Sequence, residues 1–280
     1  MEELCVKHFK IPVEGLQKTY RFAHITDAHL LLYDETETPE RAAYAEPRVG
    51  LFSENGIRSE QRFEMLMQYV REHAQELDAV IMTGDILDFP SALNLKYLRE
   101  QLGKLSVPVM YVLGNHDWAY FDDYHTEASV QNEKPKFAAL CGGDTSIQAM
   151  RFGELTLIGV DNSDERFEDG CAERLEALLK EEKNVLLCMH IPLYAETLHE
   201  DTAAYWWGKD ITIGGEGICK NENYRAVRRL AATPGTPVRA VVTGHLHFWH
   251  QDMLDGTTPQ YVTALAASGN MAVFTVCPKE

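Results

Sequence analysis

Val107-Pro-Val-Met-Tyr-Val-Leu113 runs straight into Gly114-Asn115-His116-Asp117, and that junction decides the fold. Seven mostly apolar and β-branched residues make a strand short enough to be buried on both faces. The glycine that closes it frees the backbone to turn at once. An amide, an imidazole and a carboxylate then follow in succession, a set that an ordinary surface turn does not need. In open α/β sheets the ligand crevice lies just beyond the carboxyl ends of the strands. Residues 114–117 therefore read as part of a site.

The same construction recurs along the chain. Arg21-Phe-Ala-His-Ile-Thr26 leads into Asp27-Ala28-His29, and Asp78-Ala-Val-Ile-Met-Thr83 leads into Gly84-Asp85. The strand at 184–189 delivers His190, and Val238–Thr243 delivers Gly244-His245-Leu246-His247. Each alone has an ordinary explanation, such as a helix-capping aspartate, a turn aspartate or a core histidine. Five strand ends in order, each supplying Asp, Asn or His, have none. Imidazole nitrogen beside carboxylate and amide oxygen is ligand chemistry for borderline divalent metals. Asp27, Asp85 and Asn115 with His29, His190, His245 and His247 are too many for one tetrahedral zinc site. They suit two ions roughly 3.5–4 Å apart. The glycines at 84, 114 and 244 are expected to permit sharp turns.

Between these junctions the chain alternates strands with helices. Strands are predicted at 6–13 and 19–26, joined around Gly15, with a hairpin at 145–151 and 155–160 around Gly153. Helical spacing predicts helices at 57–77, 93–102, 171–183 and 223–232. A run of strands, 248–253, 257–264 and 272–276, closes the chain and is expected to be antiparallel. This order points to an α/β protein with mixed sheets. Residues 30–55 show little periodicity and read as a long functional loop. No Pro-, Gly- or Ser-rich linker divides the chain, so one domain over 1–280 is expected.

The 26 Lys and Arg against 43 Asp and Glu give a formal charge of -17. Such a surface repels a phosphate backbone and an anionic membrane, so nucleic-acid and membrane partners are disfavoured. A small phosphorylated substrate stays open, because bound cations supply positive charge locally. The N-terminal stretch Met1–Lys10 has no apolar core behind a basic start, and no window approaches about 18 apolar residues. The six cysteines are scattered without a C-x-x-C pair and are expected to be reduced, in a cytoplasmic protein.

In sequence order the motifs D-x-H, G-D, G-N-H-[DE], a lone H and G-H-x-H resemble the calcineurin-like metallophosphoesterase superfamily. They span residues 27–247. The resemblance implies a four-layer α/β/β/α sandwich of two mixed sheets, with a dinuclear metal site at the strand C-terminal ends. It implies two divalent ions (Mn, Fe, Zn or similar), one on Asp27, His29, Asp85 and His247. The other would sit on Asp85, Asn115, His190 and His245, with Asp85 bridging. His116 would face the scissile phosphate as general acid or charge stabiliser, oriented by Asp117. Asp88 stands where purple acid phosphatases carry a tyrosine, and resembles the G-D-x-x-D form of phosphodiesterase-like branches. His190-Ile191-Pro192-Leu193 resembles their H-x-P-L form.

The activity implied is metal-dependent hydrolysis of a small phosphomonoester or phosphodiester, with nucleotides in range. A nuclease of the same superfamily, a metal-dependent amide hydrolase, and a catalytically silent metal-binding scaffold for protein partners are the alternatives. Substrate choice is expected from 30–55 and 194–222, with Trp206, Trp207, Arg48 and Arg58 as candidate contacts and Gly214–Gly217 as part of a mobile rim.

Overall fold

The computed structural model describes residues 4–120, 126–209, 211 and 222–279. The described strands are β1 (Cys5–Val13), β2 (Tyr20–Ile25), β3 (Ala79–Thr83), β4 (Val109–Val112), β5 (Ile147–Phe152), β6 (Leu155–Val160), β7 (Val185–Cys188), β8 (Val238–Thr243), β9 (His250–Leu254), β10 (Thr258–Val262) and β11 (Asn270–Pro278). The helices are α1 (Pro39–Ala45), α2 (Ser59–Glu72), α3 (Ala92–Leu102), α4 (Glu127–Asn132), α5 (Cys171–Glu181), α6 (Glu196–Tyr205) and α7 (Glu222–Ala232).

Two mixed sheets lie face to face. The first has the order β1-β11-β2-β3-β4 and the second β5-β6-β7-β8-β10-β9. The period of two along each strand divides its side chains between two cores. On β3, Ala79 and Ile81 join Phe22, Met110 and Val112 against Leu157, Leu186, Ala240 and Val242 of the second sheet. Val80 and Met82 turn the other way, onto Phe63, Leu66 and Val70 of α2 and Leu98 of α3. On the far side, Leu175 of α5 and Val227 and Ala231 of α7 cover Ile158, Leu187 and Val241. The layers are therefore helix, sheet, sheet, helix. Central strands buried on both faces explain the unbroken apolar runs. Truncating one such leucine to alanine costs about 2–5 kcal/mol.

Three expectations are corrected. Residues 30–55 are not all loop, because Thr38 caps the short helix α1 by accepting from the Arg41 amide, and a 3-10 turn follows at Glu46–Arg48. A helix of seven residues is too short to print a periodicity. Segment 194–222 likewise contains α6. The closing strands do not form one antiparallel run. β9 and β10 pair antiparallel, but β10 lies parallel to β8, and β11 crosses to the first sheet between β1 (parallel) and β2 (antiparallel). No described helix is long and apolar enough to cross a membrane. Cys5, Cys141, Cys171, Cys188 and Cys277 form no disulfide. Cys219 and Gly214–Gly217 lie outside the described residues.

Candidate metal centre

β2, β3 and β4 run parallel in one sheet, and β7 and β8 run parallel in the other. Their carboxyl ends emerge at one end of the sandwich, where the backbone turns hard. Nine described non-glycine residues have positive φ, and five of them are Asp27 (55°), His29 (43°), Asp85 (50°), His245 (72°) and His247 (66°). Left-handed backbone costs a non-glycine residue on the order of 1–3 kcal/mol and gathers at functional sites. The turns brace one another, with the Asp27 amide donating to the Gly84 carbonyl (3.0 Å) and the His29 amide to the Asp85 carbonyl (2.9 Å). Gly84 uses the left-handed region (φ 83°), as expected, but Gly114 and Gly244 do not. Those two are glycine because the chains touch. A Cβ on Gly114 would lie 2.2 Å from the Asp85 nitrogen, and one on Gly244 would lie 1.9 Å from Thr26 Oγ1.

The structure brings all seven predicted ligands together, six of them as two neighbouring groups with Asn115 beside the second. Asp27, His29 and His247 form the first, and Asp85, His190 and His245 the second. In the first, Nε2 of His29 lies 3.1 Å from Nε2 of His247, which is 3.4 Å from Asp27 Oδ1. In the second, His190 Nε2 lies 3.2 Å from Asp85 Oδ2, 3.1 Å from Asn115 Oδ1 and 3.2 Å from His245 Nδ1.

The donor set fits metal ions on three observations. First, four of the side chains (His29, His190, Asp27 and Asp85) are aimed by a bond on the side away from the cluster. His29 Nδ1 rests on Asp88 Oδ1 (3.0 Å), and His190 Nδ1 donates to the Thr83 carbonyl (2.6 Å). Asp27 Oδ2 accepts from Thr26 Oγ1 (2.8 Å) and the His245 amide (2.9 Å), and Asp85 Oδ1 accepts from the His116 amide (2.8 Å). Second, Asp27 Oδ1 and His245 Nε2 are buried with no hydrogen-bond partner. Third, the cluster draws positive charge. Burial works against ionised Asp85, yet the charges of His190 and His116 hold its carboxyl well below the usual range. Burial lowers His190 too, but the charge and hydrogen bond of Asp85 lift it to about 9. Asp27 is likewise held at about 2 against its burial, chiefly by His247.

His24, below the site, is different. Its two ring nitrogens bond Thr263 Oγ1 and Thr83 Oγ1, each at 2.7 Å, and burial pushes it down to about 3. It is a structural histidine.

The expected pairing of Asp117 with the His116 ring is not formed. Asp117 is fully buried, and its carboxylate accepts from the amides of Asp85 (3.1 Å), Leu87 (2.9 Å) and Gly114 (2.8 Å) and from the Tyr111 hydroxyl (2.9 Å). It ties the Gly84 turn to the Gly114 turn. Burial, followed by the charge of Asp85, pushes it up to about 7.

The carboxylate beside His116 is Asp88, whose Oδ1 lies 3.6 Å from His116 Nδ1, with the Asp88 carbonyl at 3.4 Å. The same carboxylate holds His29 and pairs with Arg48 through Nε and, at 2.8 Å, through Nη2. Motif order pointed to Asp88, but its role needs the fold. Arg58 binds the buried Glu60 at 3.0 and 3.2 Å rather than a residue of the cluster.

The turn after β7 is held by two amide side chains that sequence reasoning missed. Asn162 Nδ2 donates to the Ile191 carbonyl (2.7 Å) while its Oδ1 accepts the Ile191 amide (3.0 Å). Gln260 grips Leu193 in the same way, with both bonds at 2.8 Å. Each imitates a strand partner for a segment that has left the sheet. Nothing in the local sequence distinguishes a clamping amide from a surface one.

The chain matches the calcineurin-like phosphoesterase family over residues 20–248, and it belongs to that family. The 3′,5′-cyclic adenosine monophosphate phosphodiesterase CpdA of Escherichia coli (strain K12) is 23% identical over 108 residues, covering 39% of this chain and 33% of that protein. The match therefore spans a third of that relative's length. Among solved structures, a dimetal phosphatase from Danio rerio superposes with a TM-score of 0.55 at 15% identity, over 89% of this chain and 88% of its own. Purple acid phosphatase PPD1 from yellow lupin gives 0.57 at 12% identity, over 92% and 45%. At these identities the superpositions show the shared fold. Within that family fold, the described residues gather candidate metal-binding groups.

Proposed function

We propose that the protein hydrolyses a small phosphate ester, monoester or diester, with nucleotides in range. The observation that carries this is the convergence of two ligand groups beside His116, whose side chain is 20% exposed while the ligands around it are nearly all buried. Asp27, His29 and His247 would hold one ion, Asn115, His190 and His245 the other, with Asp85 between them. Bound there, a pair of divalent ions supplies Lewis-acid polarisation of the phosphoryl oxygens and an acidified water.

The chain's own groups do the rest. Asp88 receives the Nδ1 side of His116, which assigns proton transfer to Nε2, toward the leaving oxygen. Arg48 keeps Asp88 ionised, its hydrogen bonds outweighing the burial that would protonate the carboxyl. Asn162 and Gln260 fix the turn that aims His190. All ligand positions keep a metal-competent side chain, which favours an enzyme over a silent scaffold.

The test is activity on p-nitrophenyl phosphate and bis(p-nitrophenyl) phosphate with Mn²⁺, with and without chelator. Metal-dependent release of p-nitrophenolate from either supports the reading. Silence on both, with two ions bound, returns the scaffold. A salt-sensitive preference for polynucleotides returns the nuclease.

A further inference from the structure

The two segments flanking the cluster bring aromatic rings up to it. Phe52, between α1 and α2, lies face to face with His29, with centroids 4.1 Å apart and planes 4° apart. It also meets His247 edge-on at 6.2 Å. Trp206, at the end of α6, tilts over the same His247 at 5.5 Å, and its indole N–H donates to the Leu246 carbonyl at 3.2 Å. Rings from two distant segments thus border one imidazole.

Exposure follows the same geography. Among the described residues four large hydrophobic side chains are exposed, and three of them, Leu51, Tyr205 and Trp207, adjoin Phe52 or Trp206 in sequence. Trp207 is 85% exposed and sits on left-handed backbone (φ 53°). That conformation costs free energy, and an indole in water returns none of it through packing. Apolar surface held in water beside a polar site marks a binding rim, and flat rings are its usual grip. Arg48 stands toward His116 through Asp88. The mouth is therefore polar at His116 and apolar over His29 and His247.

We infer that the His29–His247 flank is a subsite for a planar, apolar group carried on the phosphate, an aryl ring or a nucleobase. Phe52 and Trp206 form its walls and Trp207 its outer edge. This rests on the phosphoesterase reading and names the substrate class within it. Ring stacking of this kind is worth roughly 5- to 100-fold in binding.

The Mn²⁺-loaded protein is assayed on methyl, phenyl and thymidine-5′-yl p-nitrophenyl phosphate. All three diesters release p-nitrophenolate, so the bond broken is the same. The phenyl or the thymidine ester should exceed the methyl ester about tenfold or more in kcat/KM, and whichever does so tells aryl from nucleobase. Trp206→Ala, Trp207→Ala and Phe52→Leu should each lower that ratio several-fold with two ions retained. Trp207→Ala guards against misfolding, because the ring it removes is in solvent. Equal rates on the three esters, or a ratio indifferent to all three variants, overturns the subsite. If the wild type cleaves none of them and leaves p-nitrophenyl phosphate intact as well, the phosphoesterase reading fails instead, whereas cleavage of the monoester alone leaves that reading standing. The subsite is then judged by tryptophan fluorescence, where quenching by phenylphosphonate but not methylphosphonate, lost in Trp207→Ala, upholds it and its absence ends it.

Discussion

The strand ends and the flanking segments meet at the same cluster but are built on opposite terms. At the strand ends most side chains are buried, and the backbone is bent into left-handed turns that lock against each other. In the flanks, Phe52 and Trp206 are half-buried and Tyr205 and Trp207 stand in water. The first arrangement fixes the chemistry, since a displacement of one turn moves several ligands together. The second is free to vary without disturbing the ligands, and so suits recognition.

The widest separation between the two regions should come from Asp85→Ala. It removes the carboxylate proposed to lie between the two ions and should leave neither ion bound by elemental analysis. Turnover on an aryl phosphate ester should fall about 10⁴-fold or more, at or beyond what one proton-transfer group supplies. Retention of two ions would detach Asp85 from the bridging role. His116→Ala should cost about 10²–10³-fold in kcat while the metal content stays at wild-type level. A wild-type rate would remove His116 from the chemistry.

Asn162→Leu and Gln260→Leu probe the support beneath the strand ends. Each should weaken metal affinity about 10- to 100-fold, as loss of an outer partner of a ligand does. Metal titration of the folded variants checks this, and unchanged affinity would make the clamps merely structural.

The smallest effect concerns the flank's attachment. His250 joins α6 to β9 through Asp201 (2.8 Å) and Asp252 (3.1 Å). Burial lowers its pKa, but these carboxylates outweigh that and raise it above the ordinary 6.5. A raised pKa means the folded state binds the proton more tightly, so the stabilisation is fully present below pH 6.5 and is lost as pH rises through the folded value. The melting-temperature advantage of wild type over His250→Gln should therefore be larger at pH 6 than at pH 8 by a degree or two. An advantage that grows with pH would contradict the sign.

Much of the site was legible because each ligand follows a short apolar strand, and strand and turn signals are local. Gly114-Asn115-His116-Asp117 announces both the end of β4 and what lies there. What stayed hidden depends on chain segments far apart in sequence. Asp117 is the partner the sequence suggests for His116, but the Gly84 turn claims it with its amides and Asp88 stands beside the imidazole instead. α1 and α6 are helices that end before a periodicity can show, and Phe52 gains meaning from the ring it covers. The destination of β11 was equally invisible, because nothing local in an apolar strand says which sheet will take it or between which neighbours.

That destination has a temporal consequence. β2, which carries the first ligands, takes β11 as a neighbour, so its Phe22 pairs with Phe274 across most of the polypeptide. During synthesis the first sheet stays open between β1 and β2 until residues 270–278 leave the ribosome. The sheet that seats Asp27 and His29 is therefore continuous only once a strand far downstream in sequence has docked against β2.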